Sequence, residues 1–210
     1  MTAVKICGIK TPEALTASCE AGARFLGFVF YEPSPRNISF DTAWTLARMT
    51  PTGTRNVGLF VDPTDEHLDH ITGGIQLDMI QLHGNETPQR VHDIKTRTKI
   101  PIIKAITIAN KTDLDHTESY EPVADFLLFD HKSTTQKGGT GQSFDWTLLQ
   151  NKTFNIPWML SGGLNTGNIH TALSLLKPDA VDVSSGVEET KGIKSPQKII
   201  DFIQAVKSVI

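Results

Sequence analysis

Phe126-Leu127-Leu128-Phe129-Asp130 is an apolar run that ends in a carboxylate, and the long loop from His131 to Gly141 follows it, closing on Gly138-Gly139-Thr140-Gly141. Four consecutive large apolar residues suit a strand covered on both faces, as in a parallel sheet. Asp130 then stands at the strand's C-terminal end. Seven further runs share this character: Val4–Cys7, Phe25–Phe30, Asn56–Val61, Met79–Leu82, Ile100–Ala105, Trp158–Ser161 and Ala180–Val183. Longer amphipathic stretches separate them, which is the pattern of successive βα units. An open doubly wound sheet would alternate in much the same way. The closed barrel is favoured because the unusual residues fall at or just after the strand ends, where barrel enzymes build their sites. The expectation is therefore an α/β fold, a single-domain (β/α)8 TIM barrel over residues 1–210.

Start signals mark several helices. Thr11-Pro12-Glu13, Ser39-Phe40-Asp41, Asp62-Pro63-Thr64, Asn165-Thr166-Gly167-Asn168 and Ser195-Pro196 each precede an amphipathic stretch. Proline costs little in a first turn, where its missing N–H would have had no partner. The stretch 110–121 carries scattered charges and ends Tyr120-Glu121-Pro122, so a short or irregular fifth helix is expected there.

The chain has 210 residues, 39% of them hydrophobic, enough for one sizeable core and compact for a barrel of this kind. A formal charge of −3, from 20 basic and 23 acidic side chains, gives no electrostatic reason to expect nucleic acid or an anionic membrane as partner. The N-terminal stretch lacks a charged region followed by a long apolar one, and no run approaches the length of a membrane span. The expected location is cytoplasmic. Cys7 and Cys19 are read as reduced thiols, because a chain of this size does not need a disulfide. Neither lies at the spacing of a structural metal site. A monomer is preferred, with a homodimer as the alternative.

Within the first strand, Lys5 and Cys7 fall on one side, since strand side chains alternate. A buried lysine is expensive without a partner or a function. A lone buried Cys is more often a small hydrophobe, but Lys5 beside it and the strand-end location favour a thiolate supported by positive charge. Asp130 is either an N-cap or partner of Lys132, or a functional carboxyl beneath a glycine-rich loop that includes Gly139. Ser161-Gly162-Gly163-Leu164 and Ser184-Ser185-Gly186-Val187 follow the seventh and eighth strands, where barrels hold phosphate on backbone N–H groups and hydroxyls. Pro33-Ser34-Pro35-Arg36 presents a guanidinium that is either solvated or suited to a two-bond grip on a carboxylate. Gln81, His83 and Asp182 also lie at strand ends, with His83 the more ordinary structural residue.

Together these segments resemble the phosphoribosylanthranilate isomerase family from Lys5 to Phe202. The most specific pieces are Lys5-Ile6-Cys7-Gly8-Ile9, Ser34-Pro35-Arg36, Gln81-Leu82-His83-Gly84, Gly138-Gly139-Thr140-Gly141 and the run Val181 to Glu188. The resemblance implies a cofactor-independent Amadori rearrangement in tryptophan biosynthesis, of N-(5′-phosphoribosyl)anthranilate to 1-(2-carboxyphenylamino)-1-deoxyribulose 5-phosphate. It implies Cys7 as general base, Asp130 as general acid and Arg36 on the anthranilate carboxylate. Gly162, Gly163, Ser184, Ser185 and Gly186 would then hold the phosphate. Ser161 departs from the small apolar residue expected before Gly-Gly-Leu.

Two other readings stand beside this one. A metal-dependent sugar-phosphate epimerase would share the barrel but needs clustered ligands, for which His83 and Asp182 are the candidates. A non-catalytic barrel that binds a phosphorylated ligand would not need both Cys7 and Asp130. The related isomerase of histidine synthesis is expected to carry Asp in place of Cys7 and a second phosphate site.

Overall fold

The computed structural model describes residues 2–131 and 145–209. Eight parallel strands close into a barrel in sequence order: β1 (Ala3–Cys7), β2 (Phe25–Val29), β3 (Arg55–Phe60), β4 (Met79–Leu82), β5 (Ile102–Ile108), β6 (Phe126–His131), β7 (Trp158–Leu160) and β8 (Ala180–Val183). Closure sets β1 beside β8, with Lys5 opposite Asp182 on one side and Phe25 of β2 on the other. Among the described residues six α-helices pack outside: α1 (Pro12–Ala21), α2 (Phe40–Met49), α3 (Asp65–Gly74), α4 (Pro88–Thr98), α5 (Ile169–Leu175) and α6 (Pro196–Lys207). A short antiparallel hairpin, β9 (Glu188–Thr190) and β10 (Ile193–Lys194), lies between β8 and α6. Among the described residues no helix is long and apolar enough to cross a membrane.

Local chemistry accounts for the helix starts. The hydroxyls of Thr11, Ser39, Thr64, Thr87 and Ser195 each accept a backbone N–H three residues on, satisfying a donor that the first turn leaves orphaned. α3 begins later than Asp62-Pro63 predicts: Thr64 is the cap, while Asp62, at φ +47°, turns its carboxylate to the Asn85 N–H at 2.6 Å. β5 is shifted from the expected 100–105 to Ile102–Ile108. Pro101 has no N–H for a ladder, and Ile106 to Ile108 pair instead with Phe129 to His131. The fifth unit holds two 3-10 turns, Lys111–Leu114 and Thr117–Ser119, in place of a helix.

The apolar residues divide by strand face. Phe25, Val57, Met79, Ile103, Leu128, Met159 and Ala180 form a cluster in the barrel interior. Alternate strand residues such as Leu26, Ile80, Leu127 and Val181 pack outward with the helices. Two residues further along several strands, the interior changes from apolar to Lys5, Gln81, Asp130 and Asp182, all buried. The fold thus places polar groups above a dry floor, at the C-terminal mouth.

Candidate active site

One cavity opens at that mouth, and Cys7, Arg36, Gln81, His83 and Asp130 line it together with both Gly/Ser turns. Lys5 lies beneath, with no exposed surface, and its ammonium meets Asp182 at 2.7 Å. Burial alone would depress that ammonium; Asp182 and, after it, Cys7 together outweigh it, and the net direction is upward. Asp182 also accepts from the Ser161 hydroxyl at 3.1 Å, which gives the unexpected serine a structural partner. Gly27 makes room for this group: a Cβ there would sit 3.0 Å from the Cys7 Sγ and 3.2 Å from the Lys5 Nζ.

Cys7 does not have the lowered pKa that its lysine neighbour suggested. Burial pushes the thiol up, and the opposing pull of Lys5 does not overcome it. The positive charge of Lys5 comes with the desolvation of an interior strand position, and the desolvation is the larger effect. Cys7 and Cys19 are both free thiols.

Asp130 is buried at the end of β6 and its two oxygens are separately engaged. Oδ1 accepts the His131 N–H at 2.8 Å, and Oδ2 lies 3.1 Å from the His83 Nε2. His83 in turn has its Nδ1 2.9 Å from the Gln81 Nε2. The histidine treated as an ordinary strand-end residue is thus the direct neighbour of the proposed acid. Lys132 and Gly139, named from the sequence, lie outside the described residues.

Arg36 is buried, which removes the solvated reading, and the Nε–Nη2 edge of its guanidinium is held by a carboxylate of the chain itself while the residue lines the cavity. Nε and Nη2 donate to the two oxygens of Glu188 at 2.6 and 2.9 Å. Burial pushes the Glu188 carboxyl up, but Arg36 and Lys194 outweigh it and hold the group below the usual carboxylate range. Lys194 reaches Glu188 Oε1 at 2.9 Å, the Ser184 carbonyl at 2.9 Å and the Ser184 hydroxyl at 3.1 Å. Its own ammonium is depressed, by burial first, with Glu188 opposing. This network couples the β2 loop to the turn after β8. Sequence reasoning gave Glu188 and Lys194 no role, since a Glu and a Lys on a short hairpin carry no sign of burial.

The two turns meet. Ser161, Gly162, Gly163, Ser184 and Ser185 line the cavity, and Gly162 and Gly163 take φ values of +87° and +67° that favour glycine. Gly186 packs against the first turn, where a Cβ would fall 2.0 Å from the Leu164 carbonyl oxygen. Its missing side chain lets the second turn press against the first. The two candidate metal ligands are committed elsewhere, His83 to Asp130 and Gln81, Asp182 to Lys5 and Ser161. Among the described residues no three His, Cys, Asp or Glu side chains are grouped as a metal site.

A closed barrel with paired glycine turns after β7 and β8, and a thiol, a carboxyl and a guanidinium at one mouth, defines a phosphate-type (β/α)8-barrel of the enzyme class. Residues 4–205 match the model of the N-(5′-phosphoribosyl)anthranilate (PRA) isomerase family, and the chain belongs to that family. It is 50% identical over 204 residues to the N-(5′-phosphoribosyl)anthranilate isomerase of Rhodospirillum centenum, covering 95% of each chain. The crystal structure of phosphoribosyl anthranilate isomerase from Thermotoga maritima is 36% identical, covers 99% of both chains and superposes with a TM-score of 0.90. A crystal structure of phosphoribosyl anthranilate isomerase in complex with reduced 1-(o-carboxyphenylamino)-1-deoxyribulose 5-phosphate is 35% identical, covers 99% of each chain and gives a TM-score of 0.86.

Proposed function

We propose that residues 1–210 form one catalytic domain that converts N-(5′-phosphoribosyl)anthranilate to 1-(2-carboxyphenylamino)-1-deoxyribulose 5-phosphate, a step of tryptophan biosynthesis, by general acid and base catalysis. The observation that carries this reading is the single cavity lined by Cys7, Asp130, Arg36 and both Gly/Ser turns. Protonated Asp130 donates to the furanose ring oxygen, and the ring opens to a Schiff base. The Cys7 thiolate then removes the C2′ proton, giving an enolamine that becomes the ketone. An acid and a base on different strands address two substrate atoms at once. A thiol pushed up by burial is a stronger base once ionised, and Lys5 supplies the positive charge that opposes its desolvation.

The phosphate is assigned to the turns after β7 and β8, with Gly186 supporting their contact. Arg36, oriented by Glu188, is assigned to the anthranilate carboxylate. Free thiols at Cys7 and Cys19 fit the cytoplasmic location. The proposed state is a monomer; sedimentation equilibrium showing twice the chain mass would replace it with the homodimer.

The test is fluorescence-monitored turnover of freshly generated N-(5′-phosphoribosyl)anthranilate with chelator present. Turnover by the wild type, lost in Asp130→Asn, is the expected result. A folded wild type that leaves intact substrate unchanged would overturn the isomerase reading.

A further inference from the structure

Gln81 has no exposed surface, and its carbonyl oxygen Oε1 is buried without a hydrogen-bond partner. Its other amide atom, Nε2, lies 2.9 Å from the His83 Nδ1. An amide nitrogen donates and does not accept, so the Nδ1 it faces must present a lone pair. The imidazole proton then sits on Nε2, 3.1 Å from Asp130 Oδ2, and is donated to the carboxylate. With the His131 N–H at 2.8 Å on Oδ1, both carboxylate oxygens receive N–H donors. That arrangement suits an acid that has already given up its proton.

We propose that Gln81 is a positioning residue that selects the tautomer of His83 and, through it, decides whether Asp130 faces a donor or an acceptor. This rests on the acid role assigned to Asp130 above. A half-turn of the Gln81 amide brings the orphaned Oε1 onto Nδ1. The imidazole then carries its proton on Nδ1, and the bare Nε2 accepts a hydrogen bond from a protonated Asp130. Loading the pair takes up one proton from solvent, which appears on the Asp130 carboxyl; donation to the substrate ring oxygen releases it. The imidazole stays neutral in both states, with its single proton on Nδ1 when the acid is loaded and on Nε2 when it is spent. The arrangement seen is the spent one, and the buried Oε1 is the atom that the loaded one uses.

The experiment is nitrogen NMR of the His83 ring in the full 15N-labelled chain without substrate, assigned by comparison with His83→Asn. The wild type is expected to show the Nε2–H tautomer. Gln81→Glu, whose carboxylate only accepts, should move the proton to Nδ1, and Gln81→Met should leave both tautomers populated. Turnover of N-(5′-phosphoribosyl)anthranilate by Gln81→Met should fall in kcat by about tenfold or more, with a smaller change in KM, because a wrongly protonated imidazole misplaces the acid's proton. A wild-type His83 ring with protons on both nitrogens would overturn the proposal even if neither variant folds, because neither of the two states carries one. So would the same tautomer in wild type and Gln81→Met, or an unchanged kcat. A wild type with the expected spectrum but no turnover would sink the isomerase reading and leave tautomer selection supported.

Discussion

Replacing Lys5 by Met removes the cation from a pair in which Lys5 is wholly buried and Asp182 is 5% exposed, 2.7 Å apart. Met keeps the unbranched shape, so little packing is lost and the effect isolates the charge. Among the described residues, Asp182 is left with the Ser161 hydroxyl at 3.1 Å as its side-chain hydrogen-bond partner. Breaking a buried pair from one side costs about 3–5 kcal/mol, because the surviving charge stays desolvated. For a chain of this length each kcal/mol shifts Tm by roughly 2–4 °C, so a fall of roughly 6–20 °C is expected. Urea denaturation followed by circular dichroism would give the free energy directly. The double variant Lys5→Met/Asp182→Asn removes both charges and should recover at least half of the loss. If the two single costs simply added in the double variant, the pair would not be coupled and the reasoning from desolvation would fail.

Other consequences follow from the same geometry. Because burial pushes the Cys7 thiol up and the thiolate is the proposed base, kcat/KM should rise with pH, with its inflection above the ordinary cysteine value of about 8.5. Lys5→Met should move the inflection higher still, and a plateau reached below about pH 8 would contradict this. Arg36→Lys keeps the charge but loses the two-bond grip on Glu188, so KM should rise by about tenfold or more while kcat changes less; steady-state kinetics showing unchanged KM would refute the assignment. Gly186→Ala forces a Cβ against the Leu164 carbonyl and should cost about 1–3 kcal/mol in urea denaturation, together with weaker binding of inorganic phosphate. Wild-type stability and phosphate affinity in that variant would show that the two turns do not depend on their close contact.

The barrel was legible because its strands read twice. Apolar runs such as Phe126 to Phe129 marked the buried ribbons, and Cys7, Asp130 and the serines after β7 and β8 marked their C-terminal ends. Helix starts were legible where a hydroxyl preceded the first turn, as at Thr11, Ser39 and Ser195. The shift of β5 was not, because Ile100 continues the apolar pattern and only pairing partners reveal that the ladder begins after Pro101. The site was legible as a set of strand-end residues but not as a network. The Arg36–Glu188 fork joins residues 152 positions apart, and the carboxylate that Arg36 grips is internal. Nor does the sequence show that Gln81, His83 and Asp130 form one hydrogen-bonded chain, since β4 and β6 are brought close only by their shared pairing with β5. The direction of the Cys7 shift needed burial as well as charge, and burial is a property of the folded interior.

The most direct measurement of the acid–base account pairs turnover with affinity in Cys7→Ser. Affinity for reduced 1-(o-carboxyphenylamino)-1-deoxyribulose 5-phosphate should stay within about threefold of the wild type, since the substitution leaves Arg36 and both turns in place, while turnover should fall by roughly 10²–10⁴-fold, the usual contribution of a positioned acid or base. Turnover preserved in Cys7→Ser, or lost only in step with affinity, would mean that Cys7 binds or packs and does not move the proton.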